Sequence, residues 1–238
     1  MSLLHFLPES LKTKFRRRAG AVLIEDRLAN LRNAGLSPRK VIDAGAFHGD
    51  WSLMAQKAFP DASFLLIEPQ PHLTGQLQAL CRAHPRFKFE AALLGSKPSE
   101  VTFILEDTNS RIVPEGEAPP GNATTIKLPV SRLADLAARN GFDDCDYLKL
   151  DLQGHELKAL AGAGDLFGRI EVIQTEVSVL RIGDVPLAHE VIASFEAKGY
   201  RLYDTFGFNY RPKDHALWQL DFVFVRQDSR LISSRDWA

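Results

Sequence analysis

Residues 41–52 read V-I-D-A-G-A-F-H-G-D-W-S. A short apolar run, entered from Lys40, ends in the acid Asp43, and two glycines, Gly45 and Gly49, follow four positions apart. From about residue 48 to 59 the pattern is that of a helix, and Pro60-Asp61 stops it. A second apolar run, residues 63–67, leads straight into Glu68. Strand, glycine turn, helix, strand and terminal acid make the opening unit of a parallel α/β sheet. In such sheets ligands collect beyond the carboxyl ends of the strands.

The charges choose among adenosine-bearing ligands. A dinucleotide site uses three closely spaced glycines to bring backbone N–H groups against a pyrophosphate. Here the third glycine is missing, and Asp43 would be an awkward neighbour for a doubly anionic group. A carboxylate at that strand end suits a ligand carrying an amino group and a sulfonium, as S-adenosylmethionine does. Glu68 is placed to accept hydrogen bonds from ribose hydroxyls. Three alternatives stay open: an NAD(P)-dependent oxidoreductase, a non-catalytic protein binding S-adenosylmethionine or another metabolite, and a glycine turn that binds no nucleotide.

The chain of 238 residues is long enough for one sizeable α/β domain and does not require two. With 29 basic against 30 acidic residues, bulk binding to nucleic acid by phosphate neutralisation is not expected. Cys81 and Cys145 show no CxxC spacing, so both are expected to be reduced thiols of a cytoplasmic protein. No run approaches the length of a membrane span. Leu3, Leu4, Phe6, Leu7, Leu11 and Phe15, followed by Arg16, Arg17 and Arg18, form an amphipathic basic segment. It is expected to pack as a leading helix, with weak contact to a membrane surface as the alternative.

Strands and helices alternate along the chain, which predicts a parallel sheet with right-handed crossovers. Residues 1–36 read as a helical extension, with a helix over 21–34, and residues 40–226 as the core. Residues 87–93 read as a third strand. Residues 100–105 and 125–130 alternate like short strands around a polar stretch, 106–124, whose prolines and glycines predict a lid loop. Ser131 is placed to cap a helix ending at Gly141. Residues 147–151 and 170–177 are further buried strands. A closing strand, 217–225, is reached without a helix and is therefore expected to be antiparallel. The reading is of one domain.

Asp43, Glu68, Asp151 and Glu176 all fall at strand ends, on four different strands. Asp151 could instead cap the helix after Gly154, and Glu156 could simply favour the first helical turn. His155 has an ordinary pKa near neutrality and could take a proton from a substrate hydroxyl. Asp151 and Glu176 could hold a hard divalent ion such as magnesium through oxygens. Zinc is not expected, since there is no HxxxH, HExxH or cysteine cluster.

These segments together resemble the FkbM-type S-adenosylmethionine-dependent methyltransferases. The resemblance rests on residues 41–52, the I-E-P ending at Pro69, Y-L-K-L-D-L-Q-G-H-E, V-I-Q-T-E-V and the closing L-W-Q-L-D-F-V-F-V-R, in that order. It implies a class I, Rossmann-like methyltransferase fold: a seven-stranded, mostly parallel sheet with an antiparallel last strand and helices on both faces. It implies O-methylation of a hydroxyl on a small molecule such as a sugar or natural product. By position, Asp43, Gly45 and Gly49, with Ala46, Phe47 and Ser52, would surround the methionine part of the cofactor. Glu68 and Pro69 would meet the ribose, and Ala91 and Ala92 the adenine. For methyl transfer to a hydroxyl, Asp151 and His155 are the candidate bases, with Glu176 orienting the acceptor or replacing one of them.

Overall fold

The computed structural model describes residues 23–107, 110–114, 116–183 and 185–234. The amphipathic basic segment of residues 3–18 lies outside the described residues, as does the start of the helix expected from residue 21. Besides short 3-10 turns, the chain forms α1 (Ile24–Asn33), β1 (Lys40–Ala44), α2 (Asp50–Ala58), β2 (Ser63–Ile67), α3 (Thr74–Ala83) and β3 (Phe87–Glu90). Then come β4 (Leu93–Leu94), β5 (Ser99–Ile104), β6 (Arg111–Ile112), β7 (Thr125–Ser131) and α4 (Leu133–Asn140). The chain closes with β8 (Tyr147–Leu150), α5 (Glu156–Ala161), β9 (Val172–Ser178), α6 (Ala188–Glu196), β10 (Tyr200–Tyr210) and β11 (Leu217–Arg226).

Seven strands form one sheet in the order β10-β11-β9-β8-β1-β2-β3. From β9 to β3 neighbours are parallel. Strand β11 is reversed, antiparallel to both β9 and β10. This is the order of elements and the reversed last strand expected of the class I arrangement.

Successive strand residues point to opposite faces, and both faces are covered. Ile42, Leu65, Leu148, Ile173 and Phe224 pack with Leu136 of α4, Leu160 of α5 and Phe195 of α6. Val41, Leu66, Tyr147, Val172 and Val223 pack on the other face with Leu28 and Leu31 of α1, Trp51 of α2 and Leu77 of α3. Cover on both faces explains why the strands read as near-continuous apolar runs. Towards the carboxyl ends the second face turns polar: Asp43 pairs in register with Lys149, Lys149 with Gln174, and Glu176 with Asp221.

The middle of the chain departs from the sequence reading. The third strand does not run on to residue 93. It stops at Glu90, whose carboxylate is held by Arg139 and Asn140 at the end of α4. The chain then leaves the main sheet, and Leu93–Leu94 pair with β7 in a second sheet of order β4-β7-β5-β6. Leu93, Phe103 and Val130 are the buried centre of that sheet. The stretch 106–124 is not wholly loop either, because Arg111–Ile112 pair with β5. Ser131 is the last residue of β7 rather than a cap; Arg132 occupies the N-cap of α4 without a side-chain bond. Cys145 is buried and Cys81 half-buried, and both are free thiols. Among the described residues no helix is long and apolar enough to cross a membrane.

Candidate active site

A cavity of about 320 Å³ opens at the carboxyl edge of the main sheet. Its floor and one end are Gly45 and Phe47 after β1, Glu68, Pro69 and Gln70 after β2, and Leu93 and Leu94. Asp151, Leu152, Gln153 and His155 after β8 and Glu176 of β9 form the other end. The second sheet supplies Phe103, Ser110 and Ile112, and the β10–β11 hairpin supplies Asn209, Trp218 and Gln219. Two of the bordering loops carry non-glycine residues in the left-handed region, Phe47 at φ 47° and Gln153 at φ 52°. Such backbone costs roughly 1–2 kcal/mol per residue and concentrates at functional sites.

Glu68 ties the β1 turn to the end of β2. It is 3% exposed; Phe47 N–H donates to its Oε2 at 2.9 Å and Gln70 N–H to its Oε1 at 3.0 Å. Burial pushes its pKa up, while those two backbone bonds pull it back. The Gln70 side chain also bonds this carboxylate, and Glu68 lines the cavity. Ser110, just before β6, donates to Gln70 Oε1 at 2.9 Å and ties the insertion to the same corner. Ala91 is exposed and Ala92 half-buried against the core, and the cavity wall beside them is Leu93 and Leu94.

Asp43 was expected to have a ligand cation as its partner; the structure gives it a protein one. It is fully buried, Ser52 Oγ donates to its Oδ2 at 2.7 Å, and Lys149 Nζ lies 3.3 Å from its Oδ1. Lys149 also donates to Gly45 O at 2.9 Å and stands 3.5 Å from Asp151 Oδ2. Gly49 lies beneath the turn, where an added Cβ would sit 2.4 Å from Leu80 Cδ2 of α3. Leu80 can turn away, but Gly49 has φ 83°, in the left-handed region that favours glycine. Ala46 is buried in the same core.

The residues after β8 divide their work. Glu156, not Asp151, satisfies the turn: its Oε1 accepts from Leu152 N–H at 2.8 Å and Gly154 N–H at 3.2 Å. Asp151 is left lining the cavity, steadied by Gln153 Nε2 at 3.1 Å. Beside it Glu176 accepts from Gln219 Nε2 at 2.8 Å. Among the described residues no group of three or more His, Cys, Asp or Glu side chains is arranged to hold a metal ion, so the Asp151–Glu176 pair has no completed ligand set for magnesium.

The Methyltransferase FkbM domain matches residues 43–202. The chain belongs to that family. No curated protein is detectably similar in sequence. Among solved structures, precorrin-6y C5,15-methyltransferase from Geobacter metallireducens is 12% identical, with 85% of this chain and 87% of that one covered, at a TM-score of 0.46. An O-methyltransferase family protein from Burkholderia thailandensis is also 12% identical, with 85% and 55% covered, at a TM-score of 0.46.

The acids of this FkbM domain are unequal. Burial, then the charges of Asp151, Glu156 and Asp221, push Glu176 up to about 9. Burial likewise raises Glu156 to about 7 and Asp221 to about 6. His155 is not near neutrality: burial, helped by Lys158, lowers it to about 4. Each raised carboxyl binds its proton more tightly folded than unfolded, so its stabilising contribution is complete below the ordinary carboxyl range and is lost as pH climbs through the folded pKa. His155 works in the opposite sense, withdrawing stability as pH falls below the usual histidine range. The thermal midpoint of the apo protein is accordingly expected to fall by several degrees between about pH 5 and about pH 9. Calorimetry at constant ionic strength checks this, and a midpoint that rises across the window would contradict it.

Sequence reasoning missed Lys149, Gln70, Ser110 and the hairpin residues Asn209, Trp218 and Gln219. For Lys149 a signal was available. A lysine between Leu148 and Leu150 in a buried strand is costly unless paired, and period-two alternation puts it on one face with Asp151.

Proposed function

We propose that this FkbM domain uses S-adenosylmethionine to methylate a hydroxyl of a small molecule such as a sugar or natural product. The observation that carries the reading is one cavity with an adenosine-type corner at Glu68 and a proton-handling wall at Asp151, Glu176 and His155. Between the strands bearing Glu68 and Glu176 lie three inter-strand steps, roughly 14 Å, which suits an extended cofactor with an acceptor beyond it. The residues present fit the cofactor. Glu68 offers an acceptor for a ribose diol, and Leu93 and Leu94 offer an apolar face for a base.

When bound, S-adenosylmethionine supplies a methyl group already activated by a sulfonium. The protein's share is to align the acceptor, exclude water and take its proton. Asp151 lines the cavity and is held by an amide, so it is placed to accept that proton. Glu176, protonated near neutral pH, donates a hydrogen bond that orients the acceptor. His155 stays neutral and can serve only as a weak proton acceptor. The half-buried Trp218 offers the acceptor a flat apolar surface, and Asn209 and Gln219 offer amides beside it. Family membership favours this reading over a nicotinamide oxidoreductase.

Calorimetry with S-adenosylmethionine and with NAD(P), then mass spectrometry of a panel of hydroxylated acceptors for a gain of one methylene, tests the proposal. Absence of S-adenosylmethionine binding would overturn it. Glu68→Ala is expected to weaken cofactor binding by about 1–3 kcal/mol, since it removes buried acceptors and loosens the Phe47 turn. Wild-type affinity in that variant would remove Glu68 from the ribose site.

A further inference from the structure

One buried cation takes no part in the reaction just described. Lys149 stands in the apolar strand β8 with its side chain 7% exposed. Its ammonium has three protons and three acceptors within 3.5 Å: Gly45 O at 2.9 Å, Asp43 Oδ1 at 3.3 Å and Asp151 Oδ2 at 3.5 Å.

Four carboxyl groups interact with it: Asp43 on β1, Asp151 after β8, Glu176 on β9 and Asp221 on β11. Glu156, opening α5, adds its charge to the surroundings of Glu176. His155 and Lys158 complete the titratable neighbourhood on the α5 side. Carboxylates this close do not all ionise together, because each charge raises the cost of the next. Among the described residues Lys149 is the cation paired with this set, and its ion pairs reach Asp43 and Asp151. Glu176 and Asp221 are served by neutral amides instead, those of Gln219 and Gln174.

We propose that Lys149 is a positioning residue that makes Asp151, rather than its neighbour Glu176, the group that takes the acceptor's proton. It does so by placing a fixed positive charge against one oxygen of Asp151 while its bond to Gly45 O locks the β8 loop to the cofactor turn. The buried Asp43 holds the ammonium from behind and keeps it in register. The raised proton affinity of Glu176 agrees with this division: one wall then presents an ionised acceptor and a neutral donor side by side. The inference rests on the reading of Asp151 as the base.

The test is carboxyl-carbon NMR of the full chain labelled at Asp and Glu, with resonances assigned through Asp151→Asn and Glu176→Gln. In the wild type Glu176 is expected to be the later of the two carboxyls to lose its proton. In Lys149→Met the two titration steps are expected to merge or change order. That variant leaves Asp43 buried without its cation and can fail to fold. The double variant Asp43→Asn/Lys149→Met removes both buried charges and should show the same change. A purely structural lysine predicts that the double variant, once folded, keeps the wild-type order and separation of the two steps, and that result would overturn the proposal. So would a wild-type protein in which Glu176 titrates first. S-adenosylmethionine calorimetry on the wild type stands apart from both readouts, so failure of the methyltransferase reading would be seen separately.

Discussion

Asp151→Asn is expected to lower kcat by about 10²–10⁴-fold, the range for losing a positioned general base, while cofactor affinity stays within a few-fold of wild type. The substitution keeps size and shape and can still meet Gln153, so the loop after β8 should hold its form. What disappears is the group within reach of both Lys149 and the cavity that can accept a proton. Glu176→Gln is the informative companion. Because Glu176 already carries its proton near neutral pH, the amide replaces a neutral donor by a neutral donor, and the loss should be far smaller. His155→Ala should also cost little as a base, since a group that titrates at about 4 has little proton affinity to offer. Kinetics on any acceptor the wild type methylates decide the matter. If Asp151→Asn turns over normally, Asp151 is not the base; if Glu176→Gln is the crippled variant, the two roles are reversed.

The parts legible in sequence were those with local signals. A strand ending in an acid before a glycine turn is visible in a dozen residues, so β1, β2 and β8 and their strand-end acids could be placed on one edge of a sheet. The reversed β11 was legible because no helix separates it from β10. The second sheet was not legible as a sheet. Two of its strands, Leu93–Leu94 and Arg111–Ile112, are two residues long and carry no period, and their pairing is made entirely by distant partners. For the same reason the insertion read as unpaired loop throughout, whereas Arg111–Ile112 pair with β5 and bring Ser110 and Ile112 to the cavity wall. In the site, Asp43 was found by position, but its partner was not. A carboxylate at a strand end does not reveal whether a ligand or a neighbouring strand supplies the positive charge. The register of Asp43 opposite Lys149 answers that, and register is a property of the folded sheet.

Gly45→Ala tests the other half of the site, and it is expected to destabilise the protein by about 2–5 kcal/mol. Roughly 1–2 kcal/mol comes from forcing a side chain into the left-handed backbone region, and about 1–3 kcal/mol from overpacking. Gly45 has φ 77°, and a Cβ there would fall 1.9 Å from the carbonyl oxygen of Asp151. That carbonyl cannot simply swing aside, because the N–H of the same peptide, that of Leu152, donates to Glu156 Oε1 at 2.8 Å, and Gly45 N–H is bonded to Ile67 O at 2.9 Å. The methyl group must therefore part the ends of β1 and β8, and it carries Asp151 with it. Gly141 supplies the control: it has nearly the same backbone, φ 74°, but nothing within 4 Å of an added Cβ. Gly141→Ala should cost only the conformational share, so urea denaturation of the two variants separates backbone strain from collision. Equal losses would mean that β8 yields freely at its carboxyl end. In that case the contact between cofactor turn and base loop is soft, and Gly45 would owe its place to the ligand, as the glycine spacing first suggested, and not to the neighbouring strand.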